Sequence, residues 1–332
     1  MRYILSVVLM LSVTMVDADT GKPIAIAIHG GAGTLLKENM SEEVEAAYRA
    51  TLEDSVRAGY EILKAGGGSR EAVMAAIVVM EDSVLFNAGK GAVFTSDRRV
   101  ELDASIMDGS DLNAGAVTGI RHIRNPIRLA NEVLEHSVHV MFMGEGAESF
   151  ARSRGFEFVD NDYFYTERRR KQLERVQAGN TETALSEDFT DDQKLGTVGA
   201  VAMDSRGNIA AGTSTGGMTN KQFGRIGDSP IIGAGTYADN DACGISGTGH
   251  GEYFIRTSVA HDICARVLYK GIPLQQAADE VILHRLVDME AEGGIIGIDR
   301  NANIVFSFNS KGMYRAAIDR EGALSVKIFK HQ

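Results

Sequence analysis

Thr197-Val198-Gly199-Ala200-Val201-Ala202-Met203 is a valine-rich run in strand alternation, Ser205-Arg206-Gly207-Asn208 turns the chain, and Ile209-Ala210-Ala211-Gly212-Thr213-Ser214 returns it. Two β-rich runs around a short polar turn form an antiparallel hairpin: β-branched side chains favour extended backbone, and glycine and asparagine accept the turn conformations. The end of the chain repeats the pattern, with Gly294–Asp299, the turn Arg300-Asn301-Ala302-Asn303, and Ile304–Phe308. Near the start, Ile24–Ile28 is another apolar β-rich run, feeding His29-Gly30-Gly31-Ala32-Gly33. Strands at both ends with helices between them, joined by hairpins and not by repeated βαβ units, predict a mixed α/β (α+β) protein. Its expected architecture is a four-layer αββα sandwich of antiparallel sheets flanked by helices.

The helical patterns are well punctuated. Ser41 is an N-cap followed by Glu42 and Glu43, and Val44, Ala47, Leu52, Val56, Tyr60 and Leu63 keep helical spacing until Gly66-Gly67-Gly68. Ser69 reads as the cap of a second helix, apolar nearly all round over Ala72–Met80 and therefore buried between layers. Asn125-Pro126 opens a third, Gly144–Arg154 makes a fourth, and Glu252–Tyr269 and Leu274–Glu290 are two long ones. Between residues 167 and 194 the pattern lapses: the basic quartet Arg168-Arg169-Arg170-Lys171, the solvated face of a short helix, precedes an acidic, threonine-rich stretch, and the whole reads as a flexible linker.

A length of 332 residues allows two domains of roughly 150, but four prolines and no Ser/Pro-rich linker leave residues 19–332 as a single domain. With 34 Lys+Arg against 45 Asp+Glu the formal charge is −11, which argues against a nucleic-acid partner. Hydrophobic residues at 44% and charged residues at 24%, without low-complexity tracts, exclude a mainly disordered chain. Arg2, the apolar run Ile4–Val16 and the small residues of Val16-Asp17-Ala18 predict a signal peptide over residues 1–18 and an exported protein, periplasmic or secreted. The run is too short for a membrane span of about 20 residues. Cys243 and Cys264 match no redox or metal spacing and read as buried thiols.

Three tempting motifs fail on context. Gly212-Thr213-Ser214-Thr215-Gly216 fits a serine nucleophile elbow, but Gly217-Met218-Thr219-Asn220 is a poor helix start. Gly247-Thr248-Gly249-His250-Gly251 lacks the βαβ unit of a dinucleotide loop. His250 with Glu252, and His261 with Asp262, have no recurrent metal-ligand spacing. There remain hydroxyls and a charge pair on glycine-rich segments: Thr197, Thr215, Arg225, Asp228, Thr248 and Gly249. Arginine can fork onto a carboxylate while an aspartate three residues away takes an ammonium, so the pair would read the α-amino-acid end of a zwitterion.

These segments resemble the plant-type L-asparaginase and isoaspartyl (β-aspartyl) peptidase group of N-terminal nucleophile hydrolases, peptidase family T2. The resemblance covers nearly all of residues 19–332 through His29–Gly33, Phe86-Asn87-Ala88-Gly89, Leu102–Gly109, Gly196–Ala202, Thr213–Lys221, Gly224–Pro230 and Thr248–Glu252. It implies a zymogen that cuts itself between Gly196 and Thr197 into an α chain 19–196 and a β chain 197–332. The new α-amine of Thr197 would be the base for its own hydroxyl. Thr197 would attack the side-chain amide of L-asparagine or the isopeptide bond of β-aspartyl dipeptides, releasing aspartate. Thr248 and Gly249 would meet the oxyanion, Thr215 would orient the nucleophile, and Asn87 would lie beside it. Arg225, Asp228 and Gly251 would hold the substrate. The resemblance also implies no cofactor beyond a structural sodium ion on backbone carbonyls of Met80, Glu81, Ser83, Phe86, Ala88 and Lys90, and an (αβ)₂ homodimer that binds neither nucleic acid nor membrane. Two rivals share these features: a glycosylasparaginase, and an exported amino-acid-binding protein that keeps the pocket but stays one chain on a denaturing gel.

Overall fold

The computed structural model describes residues 21–33, 35–179 and 196–332. The expected leader at 1–18 and the acidic stretch that follows residue 179 lie outside the described residues. Among the described residues twelve strands and the helices between them run in the order β1 (Ala25–Gly33), α1 (Glu42–Lys64), α2 (Ser69–Glu81), β2 (Leu102–Asp108), β3 (Ala114–Ile120), α3 (Pro126–His136), β4 (Met141–Met143), α4 (Gly144–Ser153), α5 (Glu167–Gly179), β5 (Val198–Met203) and β6 (Ile209–Thr215). They continue with β7 (Thr236–Ala238), β8 (Cys243–Gly249), α6 (Gly251–Thr257), α7 (Val259–Lys270), α8 (Leu274–Asp279), β9 (Gly293–Asp299), β10 (Ile304–Phe308), β11 (Gly312–Ile318) and β12 (Leu324–Phe329).

The strands form an eight-stranded sheet, β12-β11-β1-β5-β6-β2-β3-β4, and a four-stranded one, β10-β9-β8-β7. Their pairings are antiparallel except at the edge pair β3–β4. The expected hairpin is present, pairing Val198 with Ser214 and Met203 with Ile209. Strand alternation then sorts the side chains into layers. Ala25, Ala27, Val201, Met203, Ile209, Ile296 and Ile298 fill the space between the sheets. Ile26 and Ile28 turn the other way, against Leu52, Val56, Val73 and Ile77 of α1 and α2. Ile245 and Ile295 pack on Val259, Ile263 and Val281 on the far side of the smaller sheet. This is the four-layer αββα sandwich. No helix among the described residues is long and apolar enough to cross a membrane.

Several local expectations change. Ser41 caps α1 as read, accepting the Val44 N–H at 3.3 Å. Ser69 does not cap α2: the N-cap is Gly68, and Asp204, from the β5–β6 turn, accepts the Ser69 N–H at 3.3 Å. The helix expected over Glu252–Tyr269 breaks at Ser258 (φ 49°), and the one after Pro273 passes through a π turn at Glu280–Arg285. Residues 167–179 are not linker but α5, because Arg169, Gln172, Leu173 and Val176 form an inward stripe at helical spacing that the polar composition concealed. Cys243 and Cys264 are not free thiols: they form a disulfide joining β8 to α7, with Cα atoms 5.4 Å apart.

Candidate active site

Thr197 immediately precedes β5, in the middle of the larger sheet, where the register sets it opposite Thr215 at the end of β6. Its Oγ1 donates to Thr215 Oγ1 at 3.1 Å, and Thr215 Oγ1 also accepts the Gly217 N–H at 3.0 Å. The nucleophile candidate is thus held by a hydroxyl that is itself fixed by backbone.

Asn87 sits on the other side of the Gly196–Thr197 peptide. Its N–H donates to the Gly196 carbonyl at 3.0 Å and its own carbonyl accepts the Gly216 N–H at 3.1 Å. The side-chain amide donates to Gly217 O at 2.7 Å, and its oxygen takes the Val93 N–H at 2.9 Å. With all these groups used, Asn87 clamps three loops around Thr197 at the carbonyl next to its nitrogen. Gly196 has φ +123°, and a Cβ there would lie 2.6 Å from the Asn87 Cβ, so only glycine fits.

The resemblance also implies that the His29–Gly33 loop braces Thr197, and His29 is the residue of that loop that reaches it. His29 Nδ1 lies 3.1 Å from the Thr197 carbonyl, which can only accept, so Nδ1 carries the proton and Nε2 accepts from Ser246 Oγ at 3.0 Å. Burial drives the imidazole pKa down to about 3, against the Thr197 hydrogen bond, so the ring is neutral. From Ser246 the hydroxyl chain continues to Thr213 (2.7 Å) and Thr236 (2.6 Å), all buried between the sheets.

The remaining residues come from the smaller sheet and the 216–230 segment. Asn87, Gly196, Thr197, Thr215, Arg225, Asp228, Thr248, Gly249 and Gly251 line one cleft, so every residue proposed from sequence for substrate and catalysis is brought together. Its free volume is about 40 Å³, space for a few waters. The Arg225 guanidinium is engaged by a residue outside the proposed substrate-binding pair. Its Nε and Nη2 fork onto Glu252 at 2.8 and 2.9 Å. Sequence reasoning missed Glu252, although it closes the Thr248–Glu252 motif. Asp228 keeps one buried carboxylate oxygen without a hydrogen-bond partner. A Cβ on Gly251 would lie 2.8 Å from Asp228 Oδ1 and 2.9 Å from Arg225 Nη2, so the missing side chain leaves a gap between a cation and an anion.

Burial raises the Asp228 pKa to about 7; Arg225 opposes the rise and Glu252 adds to it. Burial also opposes ionisation of Glu252, but the Arg225 hydrogen bonds and charge hold its pKa below the ordinary value. A substrate ammonium held by Asp228 would need the ionised carboxylate, and kcat/KM would then fall by up to about tenfold per pH unit below pH 7. A profile flat down to pH 5 would remove Asp228 from substrate binding. The effect on stability has the opposite sign: the folded state keeps a proton that the unfolded carboxyl loses near 3.8, so this contribution is lost as pH rises from about 4 to 7.

The sequence decoys are accounted for. Ser214 is fully buried and donates to Glu81 at 2.6 Å, not an exposed nucleophile. His250 Nδ1 accepts the Glu292 N–H, Asp262 pairs with Arg266 and Arg285, and neither belongs to a ligand cluster among the described residues. The loop from Met80 to Lys90 winds tightly: a Cβ on Gly89 would lie 2.2 Å from Glu81 O, and one on Gly91 2.1 Å from Phe86 O. Backbone oxygens are the hard donors a monovalent cation takes, and the Lys90 ammonium is drawn aside from them, 5.3 Å from the centre of the Tyr163 ring.

A family model described as asparaginase matches residues 22–328. The chain is 48% identical to the isoaspartyl peptidase of Salmonella typhimurium over 88% of its own length and 94% of that protein, and 47% identical to that of Escherichia coli over 88% and 91%. It is 40% identical to the isoaspartyl peptidase/L-asparaginase of Homo sapiens over 92% and 96%. The export expectation does not stand beside them. The two bacterial relatives are named as enzymes, with no exported role in the name. From the hairpin at Thr197 to the cleft it lines, and across nearly its whole length, the chain belongs to the asparaginase family of N-terminal nucleophile hydrolases.

Proposed function

We propose that this chain is a self-processing threonine hydrolase that releases L-aspartate from L-asparagine and from β-aspartyl dipeptides. The observation that carries the reading is the pair of contacts on one peptide: Thr197 Oγ1 anchored on Thr215, and the Gly196 carbonyl held by the Asn87 N–H. In the first reaction Thr197 Oγ1 attacks the Gly196 carbonyl carbon and the Asn87 N–H meets the developing oxyanion. The C–N bond breaks as the Thr197 nitrogen takes the hydroxyl proton, giving an ester and a free amine, and water then cleaves the ester to release the Gly196 carboxylate and the Thr197 hydroxyl.

That amine, with an ordinary pKa near 7.7–8, then takes the proton from Oγ1 as the oxygen attacks the substrate's side-chain carbonyl. The Thr248 hydroxyl and the Gly249 N–H stabilise the oxyanion, the ammonia or amino-acid leaving group takes the proton, and water releases aspartate. Arg225 keeps one edge on Glu252 and offers the other to the α-carboxylate, while Asp228 takes the α-ammonium beside the Gly251 backbone. The carbonyl loop at Met80, Glu81, Ser83, Phe86, Ala88 and Lys90 would hold a sodium ion that stiffens the Asn87 turn. Two processed αβ units pair as a homodimer. The relatives named isoaspartyl peptidase favour this reading over glycosylasparaginase.

The test is the intact mass of the purified protein under denaturing conditions, with ammonia release from asparagine. A fragment beginning at Thr197, together with activity, supports the proposal; an uncut, inactive chain sinks it. Arg225→Ala should raise KM about 10²-fold with a smaller change in kcat, because it removes the carboxylate fork and leaves Glu252 facing Asp228 without a cation. An unchanged KM would move the binding site elsewhere.

A further inference from the structure

Behind Gly196 lies a second cavity, of about 280 Å³, that the reaction above does not use. Gly196 lines both this cavity and the active-site cleft. Tyr48, Tyr314, Arg168 and Arg169 also line it, the two tyrosine rings stacked 4.2 Å apart. Arg168, on the exposed side, is steered by hydrogen bonds to Tyr48 Oη and Leu85 O, both at 2.9 Å. Arg169 is 3% exposed, with Nε on Gly91 O and Nη1 on Gln172 Oε1 at 2.8 Å each. No carboxylate among the described residues pairs with it. Burial first, and Arg168 next, pull its pKa down, as expected of a desolvated cation without a counter-ion.

Buried charges in folded proteins are normally paired. Hydrolysis of the Gly196–Thr197 bond makes the missing partner: one water is consumed, and Gly196 ends in a carboxylate at the wall of this cavity. Resting on the self-cleavage reading, we propose that the arginine cavity is the receptor for the α chain's own new C-terminal carboxylate, which leaves the cleft and docks on Arg168 and Arg169. Docking does two things. It supplies Arg169 with a charge-assisted hydrogen-bond partner, and it withdraws Gly196 from the cleft that Thr197 lines. Attachment favours this carboxylate over a free one, because a covalently tethered group acts at a raised effective concentration.

The test follows the full-length protein after maturation, by intact mass, while a carboxypeptidase digests it under native conditions. The wild-type α chain should keep Gly196, whereas Arg168→Ala and Arg169→Gln should lose it about tenfold faster, the loss of one hydrogen bond to a charged group. Sodium acetate should speed the loss in the wild type by competing for the arginines. Arg168→Ala, on the exposed rim, keeps the test available if Arg169→Gln does not fold. A wild-type α chain trimmed as fast as the Arg168→Ala protein overturns the docking and leaves self-cleavage standing. Absence of any fragment beginning at Thr197 overturns the self-cleavage reading, and the docking with it.

Discussion

Thr197→Ala is expected to remain a single chain and to lose hydrolysis of asparagine by a factor on the order of 10⁶, the scale on which hydrolases lose activity with their nucleophile. One side chain does two jobs. In the proposed reaction its hydroxyl opens the Gly196 peptide, and only that opening frees the amine that then serves as base. Alanine removes the first function and thereby locks away the second. The substitution should leave the fold intact, because Thr197 is only half-buried and its side-chain partner, Thr215, still accepts the Gly217 N–H. Thr197→Ser keeps the oxygen and should still cut itself. A denaturing gel and an ammonia assay decide the matter, and a Thr197→Ala protein that splits after Gly196 would exclude this chemistry.

Thr248→Val is expected to process itself, to bind substrate within a few-fold of wild-type KM, and to lose about 10²–10³ in kcat, the usual consequence of removing one oxyanion donor. Valine copies the shape of threonine, and the site is 2% exposed in a strand whose pairing with Gly294 does not involve the hydroxyl. The other donor, the Gly249 N–H, is beyond simple mutagenesis, but its position is fixed. A Cβ there would lie 2.5 Å from the Glu292 carbonyl oxygen and from the Gly293 Cα, which pins this backbone against β9. Unchanged kcat in Thr248→Val would place the oxyanion elsewhere.

What could be read in the sequence was local. The hairpins at 198–215 and 293–308 declare themselves through alternation and turn residues, and α1, α3 and α4 through caps and glycines. What could not be read depends on residues far apart in the chain. Asp204 reaches back to Ser69, and Glu252 reaches Arg225 from 27 positions away. The His29 ring meets Thr197 and Ser246 only because β1, β5 and β8 converge between the sheets. Helix α5 was hidden because its buried stripe includes an arginine and a glutamine, which composition assigns to the surface. The cleft residues, with Thr215 and Asn87 among them, were found because they lie on contiguous motifs; Glu252 and Ser246, which hold Arg225 and His29, were not.

The strand order has one more consequence. Strands β1 to β4 precede Gly196 and β5 to β12 follow it, yet in the larger sheet they alternate in blocks: β12-β11, then β1, then β5-β6, then β2-β3-β4. A cut at Gly196 therefore does not divide the molecule, because each fragment supplies strands that only the other can pair. It changes the thermodynamics of unfolding instead. For the uncut precursor, melting is a first-order event within one molecule, reversible at any dilution. For a processed enzyme it would be a dissociation, so its midpoint would rise with protein concentration and its recovery would slow on dilution. The protein would fold once, as a precursor, and afterwards persist because its halves separate slowly.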